Sequence, residues 1–146
     1  MAGFDYVKDP VDRGMEEVPV SSLTCAVNDM LELAVGATTW TAATSSSVHY
    51  TKKFIVRKAV TSSDTVAKGF VVSDSMIFIA ETVNNSAAAD NGDRMVLTDT
   101  NTVNNTGTDS AAKEAVVIQI APVGAAADKR ILARVITGTG VNPAAA

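Results

Sequence analysis

The side chains that could do chemistry are few and lie far apart in the sequence. His49 is the only histidine and Cys25 is the only cysteine. A Ser-His triad or a zinc site needs a histidine with partners at a fixed spacing, and no such spacing is present. Cys25 lies in an apolar segment without a base or a helix N-terminus that would activate its thiol. We therefore interpret Cys25 as a small buried hydrophobic residue and His49 as a surface or interface residue.

Two further motifs have only part of a ligand-binding loop. Asp90–Asp93 contains two carboxylates of a possible calcium loop, but a strand-like segment follows where further carboxylates are needed. Asn91-Gly92 is by itself a strong turn signal. Gly138-Thr139-Gly140 has the composition of a phosphate loop, but we expect no helix after it to bind a phosphate. The sequence thus predicts no catalytic residue, no metal site and no cofactor.

The elements that position these residues are expected to be strands. The chain holds 20 Val, 7 Ile and 16 Thr but only five Leu, and β-branched side chains pack well on a pleated sheet. Short apolar segments alternate with turn clusters, and no long stretch shows a helical stripe. Over 76–83 the even-numbered residues are expected on one face of a strand and the odd-numbered residues on the other. We predict an all-β fold, one small β-barrel or sandwich of about seven to eight short strands.

The chain is expected to have three regions. Residues 1–20 lack periodicity and are interrupted by proline and glycine, so we predict an extended N-terminal arm. Residues 21–137 form the predicted β-barrel or sandwich body. Residues 138–146 are predicted to be a flexible C-terminal tail.

Two features of the body bear on its organisation. The segment 101–110 is rich in Asn, Thr, Gly and Asp, which predicts a loop. The segment 70–74 loosely repeats 95–99. Recurring strand and turn chemistry explains this echo as well as duplication does.

The arm is the predicted partner-binding segment. Apolar and charged residues alternate over Phe4, Asp5, Tyr6, Val7 and Lys8. Alternation in an extended segment is what the addition of a strand to a neighbour's sheet requires.

Trp40 is a possible interface anchor. Tryptophan is enriched both in protein cores and at the energetic centres of interfaces. The sequence leaves both roles open for Trp40.

The charge distribution argues against two classes of partner. The net charge is -4, and residues 1–17 contain five acidic and two basic residues. No basic stripe is present, so we expect no nucleic-acid binding. No apolar run is long enough to cross a bilayer and no signal peptide is recognisable, so we expect no membrane partner.

Four segments resemble strands of capsid cement (decoration) proteins of tailed bacteriophages, of the small β-barrel type. They are Asp29–Leu33 for an early strand, Ala67–Val72 for a strand that opens on glycine, Asp90–Thr98 for a strand that opens on Gly-Asp, and Ala133–Ile136 for the closing strand. The chain is also similar to that family in being rich in Ala, Thr and Val with few charges.

The resemblance implies a virion protein without enzymatic activity, made in the host cytoplasm and bound to the outer capsid surface. It implies that the chain bridges adjacent major capsid proteins and contacts neighbouring copies of itself, as a homotrimer or as a monomer. An alternative is another phage virion β-module, such as a tail component or a glycan-binding sandwich. The scarcity of aromatic residues counts against a glycan site.

Overall fold

The protein is described by a computed structural model over residues 3–8, 15–106, 116–124 and 128–138. These residues form eleven β-strands and one short 3₁₀ turn, Ala88–Asp90. The strands are β1 (Phe4–Lys8), β2 (Glu16–Pro19), β3 (Met30–Leu33), β4 (Thr41–Ala42), β5 (Lys52–Val56), β6 (Val66–Val71), β7 (Ile77–Thr82), β8 (Arg94–Leu97), β9 (Thr102–Asn104), β10 (Val117–Pro122) and β11 (Arg130–Val135). The predicted all-β fold is confirmed.

The number of strands exceeds the predicted seven to eight for a physical reason. β4 has two residues and β9 has three, and a period of two cannot be recognised over so few positions. β9 lies inside the segment 101–110, which was predicted to be a loop, so that prediction was wrong for residues 102–104. A short Asn- and Thr-rich strand is set by its neighbours in the sheet rather than by its own propensity.

The strands β2 to β6 form the N-terminal sheet, in the order β2-β6-β5-β3-β4. All four neighbouring pairs are antiparallel. The two ends of the sheet approach each other through one parallel bridge, between Val20 after β2 and Trp40 before β4. The Trp40 backbone N–H donates to the Pro19 carbonyl at 2.9 Å. This sheet is therefore a half-barrel whose edges touch at one point.

The strands β7 to β11 form the C-terminal barrel, in the order β7-β11-β10-β8-β9. β9 pairs in parallel with β7 and closes the ring, with Glu81 opposite Thr102 and Thr82 opposite Val103. β1 pairs antiparallel with the first half of β7, from Ile77 to Ala80. β1 and β9 therefore use successive halves of one edge of β7, while β11 pairs with the other edge.

The two sheets have the same topology. Each consists of five consecutive strands in the ring order first, fifth, fourth, second, third, and in each a parallel contact joins the third strand to the first. The echo between 70–74 and 95–99 is not this repeat. Residue 70 lies on β6, the fifth strand of its sheet, and residue 95 lies on β8, the second strand of its barrel.

The core has two parts. One lies inside the N-terminal sheet, where Phe54 packs with Leu31 and Trp40. The other fills the C-terminal barrel and also includes Met30 and Ile55, from the opposite face of the N-terminal sheet. The two sheets therefore share this second part of the core. The predicted alternation over 76–83 is confirmed for the described side chains, because the even-numbered residues 76 to 82 are buried and the odd-numbered ones are not.

Candidate functional site

The predicted arm begins with a strand that belongs to the chain's own barrel. In β1, Phe4 lies opposite Ala80 and Tyr6 lies opposite Phe78. Phe4 is fully buried, and its ring meets the Phe78 ring edge-on with 6.3 Å between centroids. The Tyr6 ring lies 5.0 Å from the Phe70 ring. Both aromatic side chains of β1 therefore contact the chain's own core.

Polar contacts fix the start of β1. The Asp5 carboxylate lies 3.6 Å from the Arg57 guanidinium, and the same guanidinium donates to the side-chain oxygen of Asn28 at 2.6 Å. The Asn28 carbonyl accepts the Phe4 N–H at 2.9 Å. A Cβ atom added at Gly3 would lie 2.5 Å from that carbonyl oxygen. Only glycine allows this close approach of the backbone.

These contacts differ from the expected separate arm of residues 1–20. β1 belongs to the C-terminal barrel and β2 to the N-terminal sheet, because apolar residues of an extended segment are best buried against an open strand edge. The outward side chains of β1 are those of Asp5 and Val7, which are exposed. The side chain of Lys8 lies outside the described residues. Partner binding through β1 stays a prediction, now confined to its outer face.

Trp40 fills the core of the N-terminal sheet. Its side chain is buried, and its ring lies 5.8 Å from the ring of Phe54. The sequence left open whether Trp40 is a core residue or an interface residue, and in the structure it lies in the core. Its indole has little surface left for the predicted role of interface anchor.

Cys25 is buried, as predicted. Its backbone forms two hydrogen bonds with Val60, of 3.0 and 2.9 Å. Burial raises the pKa of its thiol to about 11, and the nearby charge of Asp29 acts in the same direction. A hydrogen bond from the Val60 backbone opposes this rise. The thiol therefore stays protonated at neutral pH.

The remaining candidate residues lie apart from one another. His49 is in a turn, and its ring meets the Tyr50 ring edge-on at 5.4 Å. Asp90–Asp93 forms the predicted turn, in which Gly92 has φ of +88° and donates its N–H to the Gln119 carbonyl. Over the described ranges, no three His, Cys, Asp or Glu side chains are grouped closely enough to hold a metal ion.

A buried lysine is the feature that sequence reasoning missed. Lys53 has no exposed surface. Its Nζ donates to the Val48 carbonyl at 2.7 Å, to the Thr51 carbonyl at 2.8 Å and to the Thr51 hydroxyl at 2.7 Å. The Thr51 hydroxyl in turn donates to the Glu32 carboxylate at 3.2 Å. The only signal in the sequence is that Lys53 directly precedes the buried Phe54.

The surroundings of Lys53 determine its chemistry. Burial lowers the pKa of the amine to about 8, and the charge of Glu32 acts in the opposite direction. The three N–H groups of the ammonium donate to three oxygen acceptors. The ammonium therefore cross-links the turn that precedes β5. Gly138 packs against the same turn, where its N–H donates to Thr51 and an added Cβ would collide with the Tyr50 carbonyl.

This packing corrects one boundary of the predicted tail. Gly138, its first residue, is held against the turn at Tyr50 and Thr51 because its missing side chain allows the close approach. Residues 139–146 lie outside the described residues.

Five outward positions of the C-terminal barrel, on β7, β10 and β11, carry aliphatic side chains. We define the outer wall as the half-buried residues Ile77, Ile79, Ile118, Ala121 and Leu132. Leu132 lies opposite Ile79 on one side and opposite Ala121 on the other. A sheet with one solvated face usually carries polar residues on that face. The outer wall departs from this pattern, because these five outward side chains are aliphatic and only half-buried.

Two arginines border the outer wall. Ile118 lies opposite Arg94 of β8 and opposite Arg134 of β11. Both arginines are exposed, and neither side chain forms a hydrogen bond or ion pair with any other residue that the structure describes. A groove of about 280 Å³ lies beside them, and it is also lined by Asp74, Val135, Ile136 and Thr137.

Within the described part of the chain, no helix has the length and apolar character needed to cross a membrane. No family model matches the chain, and no curated protein is significantly similar to it.

Proposed function

We propose that the chain is a non-enzymatic structural protein of a tailed bacteriophage, which binds the outside of the mature capsid and bridges major capsid proteins. The observation that carries the proposal is the outer wall, where aliphatic side chains face outward from a closed barrel. Burying apolar surface against a partner is favourable by about 25 cal/mol per Å². The resemblance of four strand segments to cement proteins supports the choice of the capsid as that partner.

The architecture suits a mechanical role. The two sheets share a core, so a force applied at one sheet is transmitted to the other through packed side chains. The buried ammonium of Lys53 holds the turn before β5 through three hydrogen bonds. A rigid module loses little conformational entropy when it binds.

The proposed mechanism is thermodynamic. A protein that binds the expanded shell but not its precursor stabilises the expanded shell by mass action. Many copies, each with a modest contact area, add up over the lattice. Neighbouring copies, as a homotrimer, would add contacts among themselves, and the exposed face of β1 is the proposed place for them.

Cosedimentation with expanded, undecorated capsids tests the proposal. The wild-type chain is expected to bind saturably. The pair Ile79→Asp and Leu132→Asp places two charges on the outer wall, and we expect binding to weaken by about tenfold or more. A truncation of residues 1–17 is a poor test, because it removes the buried Phe4 from the core.

The matched control is Val35→Asp with Val66→Asp. Val35, in the turn after β3, is 52% exposed, and Val66, at the start of β6, is 39% exposed. The control pair should bind capsids as the wild-type chain does. No saturable binding of the wild-type chain would refute the proposed function. Equal loss of binding in both pairs would refute the role of the outer wall.

A further inference from the structure

The repeated topology allows the two sheets to be compared residue by residue. In the N-terminal sheet, Ile55 lies opposite Met30 on one side and opposite Phe70 on the other. In the C-terminal barrel, Ile118 lies between Arg94 and Arg134 on the equivalent strands. Both rows point away from the interior of their own sheet, because the residues next to them along the strands line that interior.

The two equivalent rows have opposite surroundings. Met30 and Ile55 are fully buried, because this row packs into the core shared with the C-terminal barrel. The corresponding row of the C-terminal barrel keeps Ile118 at its centre but is exposed at both arginines. In the N-terminal sheet, the C-terminal barrel covers this outward face. The equivalent outward face of the C-terminal barrel is not covered by any of the described residues.

We propose that the row Arg94–Ile118–Arg134 and the groove beside it bind an extended acidic segment of a protein partner. This inference rests on the proposed function and names the chemistry of the capsid segment that docks on the barrel. Ile118 offers an apolar contact, and the two guanidinium groups offer charge-assisted hydrogen bonds to carboxylates. Directly opposed residues of neighbouring strands share a face, so the three side chains act on the same ligand.

Charge complementarity favours an acidic protein segment as the ligand of this face. The row carries two positive charges on a chain whose net charge is -4, so its attraction for anions is local and does not extend along a polyanion such as nucleic acid. Two arginines are too few for a nucleic-acid footprint but sufficient for one or two carboxylates. A second copy docking through the same face would place arginine against arginine, which is unfavourable.

The geometry also sets a spacing and a direction. Arg94 and Arg134 lie on the two strands that flank β10, so their backbones are about 9–10 Å apart. Carboxylates at alternate positions of an extended segment are about 7 Å apart, which long arginine side chains reach. Asp74 also lines the groove and disfavours a further carboxylate beside it. The partner's acidic residues are therefore expected over the arginines, away from Asp74.

Peptide binding to the full chain tests the proposal. The probes are three rhodamine-labelled octapeptides that alternate valine with glutamate, glutamine or lysine, and fluorescence anisotropy is the measurement. The glutamate peptide is expected to bind best, and its binding should weaken as salt is raised. The pair Arg94→Gln and Arg134→Gln should weaken this binding by about fivefold or more.

The control is the pair Lys52→Gln and Lys58→Gln, which removes the same charge from two exposed positions, one at the start of β5 and one in the bend after it. This pair should bind the glutamate peptide as the wild-type chain does. Equal weakening in both pairs would reduce the effect to net charge and overturn the proposal. Equal binding of the glutamate and glutamine peptides would overturn it as well, as would arginine-dependent self-association of the free chain.

Capsid cosedimentation of the same variants separates this proposal from the proposed function. Capsid binding that persists in the arginine variants would overturn the docking face and leave the cement function standing. Peptide binding that depends on the arginines, without any capsid binding, would support the docking face and refute the cement function.

Discussion

The N-terminal sheet and the C-terminal barrel have the same strand order but differ in what covers them. β5, the fourth strand of the N-terminal sheet, is buried on both faces, because one face lines the interior and the other packs on the barrel. β10, its equivalent in the barrel, alternates between buried and half-buried residues up to its bulge. The same fold therefore serves in one place as the inner layer of a core and in the other as an outer surface.

The polar residues inside the two units differ too. Following the strand register, Lys53 in the N-terminal sheet corresponds to Val116 in the barrel, and Val56 corresponds to Gln119. Lys53 and Gln119 are thus buried at positions where the other unit has valine. In both cases the polar group ties a turn to the sheet, since Gln119 donates to the Ala87 carbonyl at 2.7 Å. This difference shows that topology alone does not decide where polar groups are buried.

The largest expected effect tests whether the two units fold together. Phe54→Ala should lower the free energy of unfolding by about 3–5 kcal/mol, and Val117→Ala, at the equivalent position of the barrel, by about 2 kcal/mol. Both should shift one common transition in urea, because Ile55, which follows Phe54 on β5, packs in the same part of the core as Val117. Val35→Ala, at an exposed position, is the control. Two separate transitions, of which Phe54→Ala moves only one, would show that the units are independent.

A smaller effect tests the buried lysine. The pKa of Lys53 is about 8 in the folded chain, below its ordinary value of 10.5. The unfolded chain therefore binds more protons above pH 8, and stability rises with pH through this range. Between about pH 7.5 and 9 the rise should be about 1 kcal/mol. Chemical denaturation at several pH values is the measurement.

The control for this effect removes the competing thiol. The raised pKa of Cys25 makes stability fall above pH 9, so the series is measured in a Cys25→Ala background. Adding Lys53→Met should abolish the rise and cost about 1–3 kcal/mol at neutral pH, since the Val48 and Thr51 carbonyls each lose one of their two donors. A rise that persists in Lys53→Met would assign it to another group.

The smallest expected effect concerns the attachment of β1. Asp5→Asn removes an exposed ion pair of 3.6 Å with Arg57 and should change stability by about 0.5 kcal/mol or less. Arg57→Gln also removes the 2.6 Å hydrogen bond to Asn28 and should cost more, about 1–2 kcal/mol. Thermal unfolding of the two variants measures the difference. Equal losses would mean that the ion pair, rather than the hydrogen bond, holds β1 to the N-terminal sheet.

The sequence predicts the fold class well because the signal is local. Alternation over β7 identifies the strand and its buried face, and Asn91-Gly92 identifies a turn. The topology is not local, because β1 pairs with a strand in the middle of the chain and the parallel closure by β9 involves three residues of a polar segment. No periodicity within a segment can indicate such distant pairings.

The candidate site was harder to predict for the same reason. The apolar residues of β1 were recognised as needing a sheet edge, but the edge is the chain's own β7 rather than a neighbour's. Arg94 and Arg134 are 40 positions apart and come together only because β8 and β11 both pair with β10. Lys53 looks like a surface lysine until the turn that encloses it is known.

The position of β1 in the chain has a consequence for biosynthesis. Phe4 and its partner Ala80 are separated by 76 residues, so β1 leaves the ribosome long before its partner strand β7 exists. The N-terminal sheet, from β2 to β6, can form in that interval, while β1 keeps an apolar residue and two unpaired edges in water. Nascent chains on one messenger RNA lie close together, and an unpaired strand can then join the β7 of another copy. An exchange of strands between two copies of this chain would therefore involve β1.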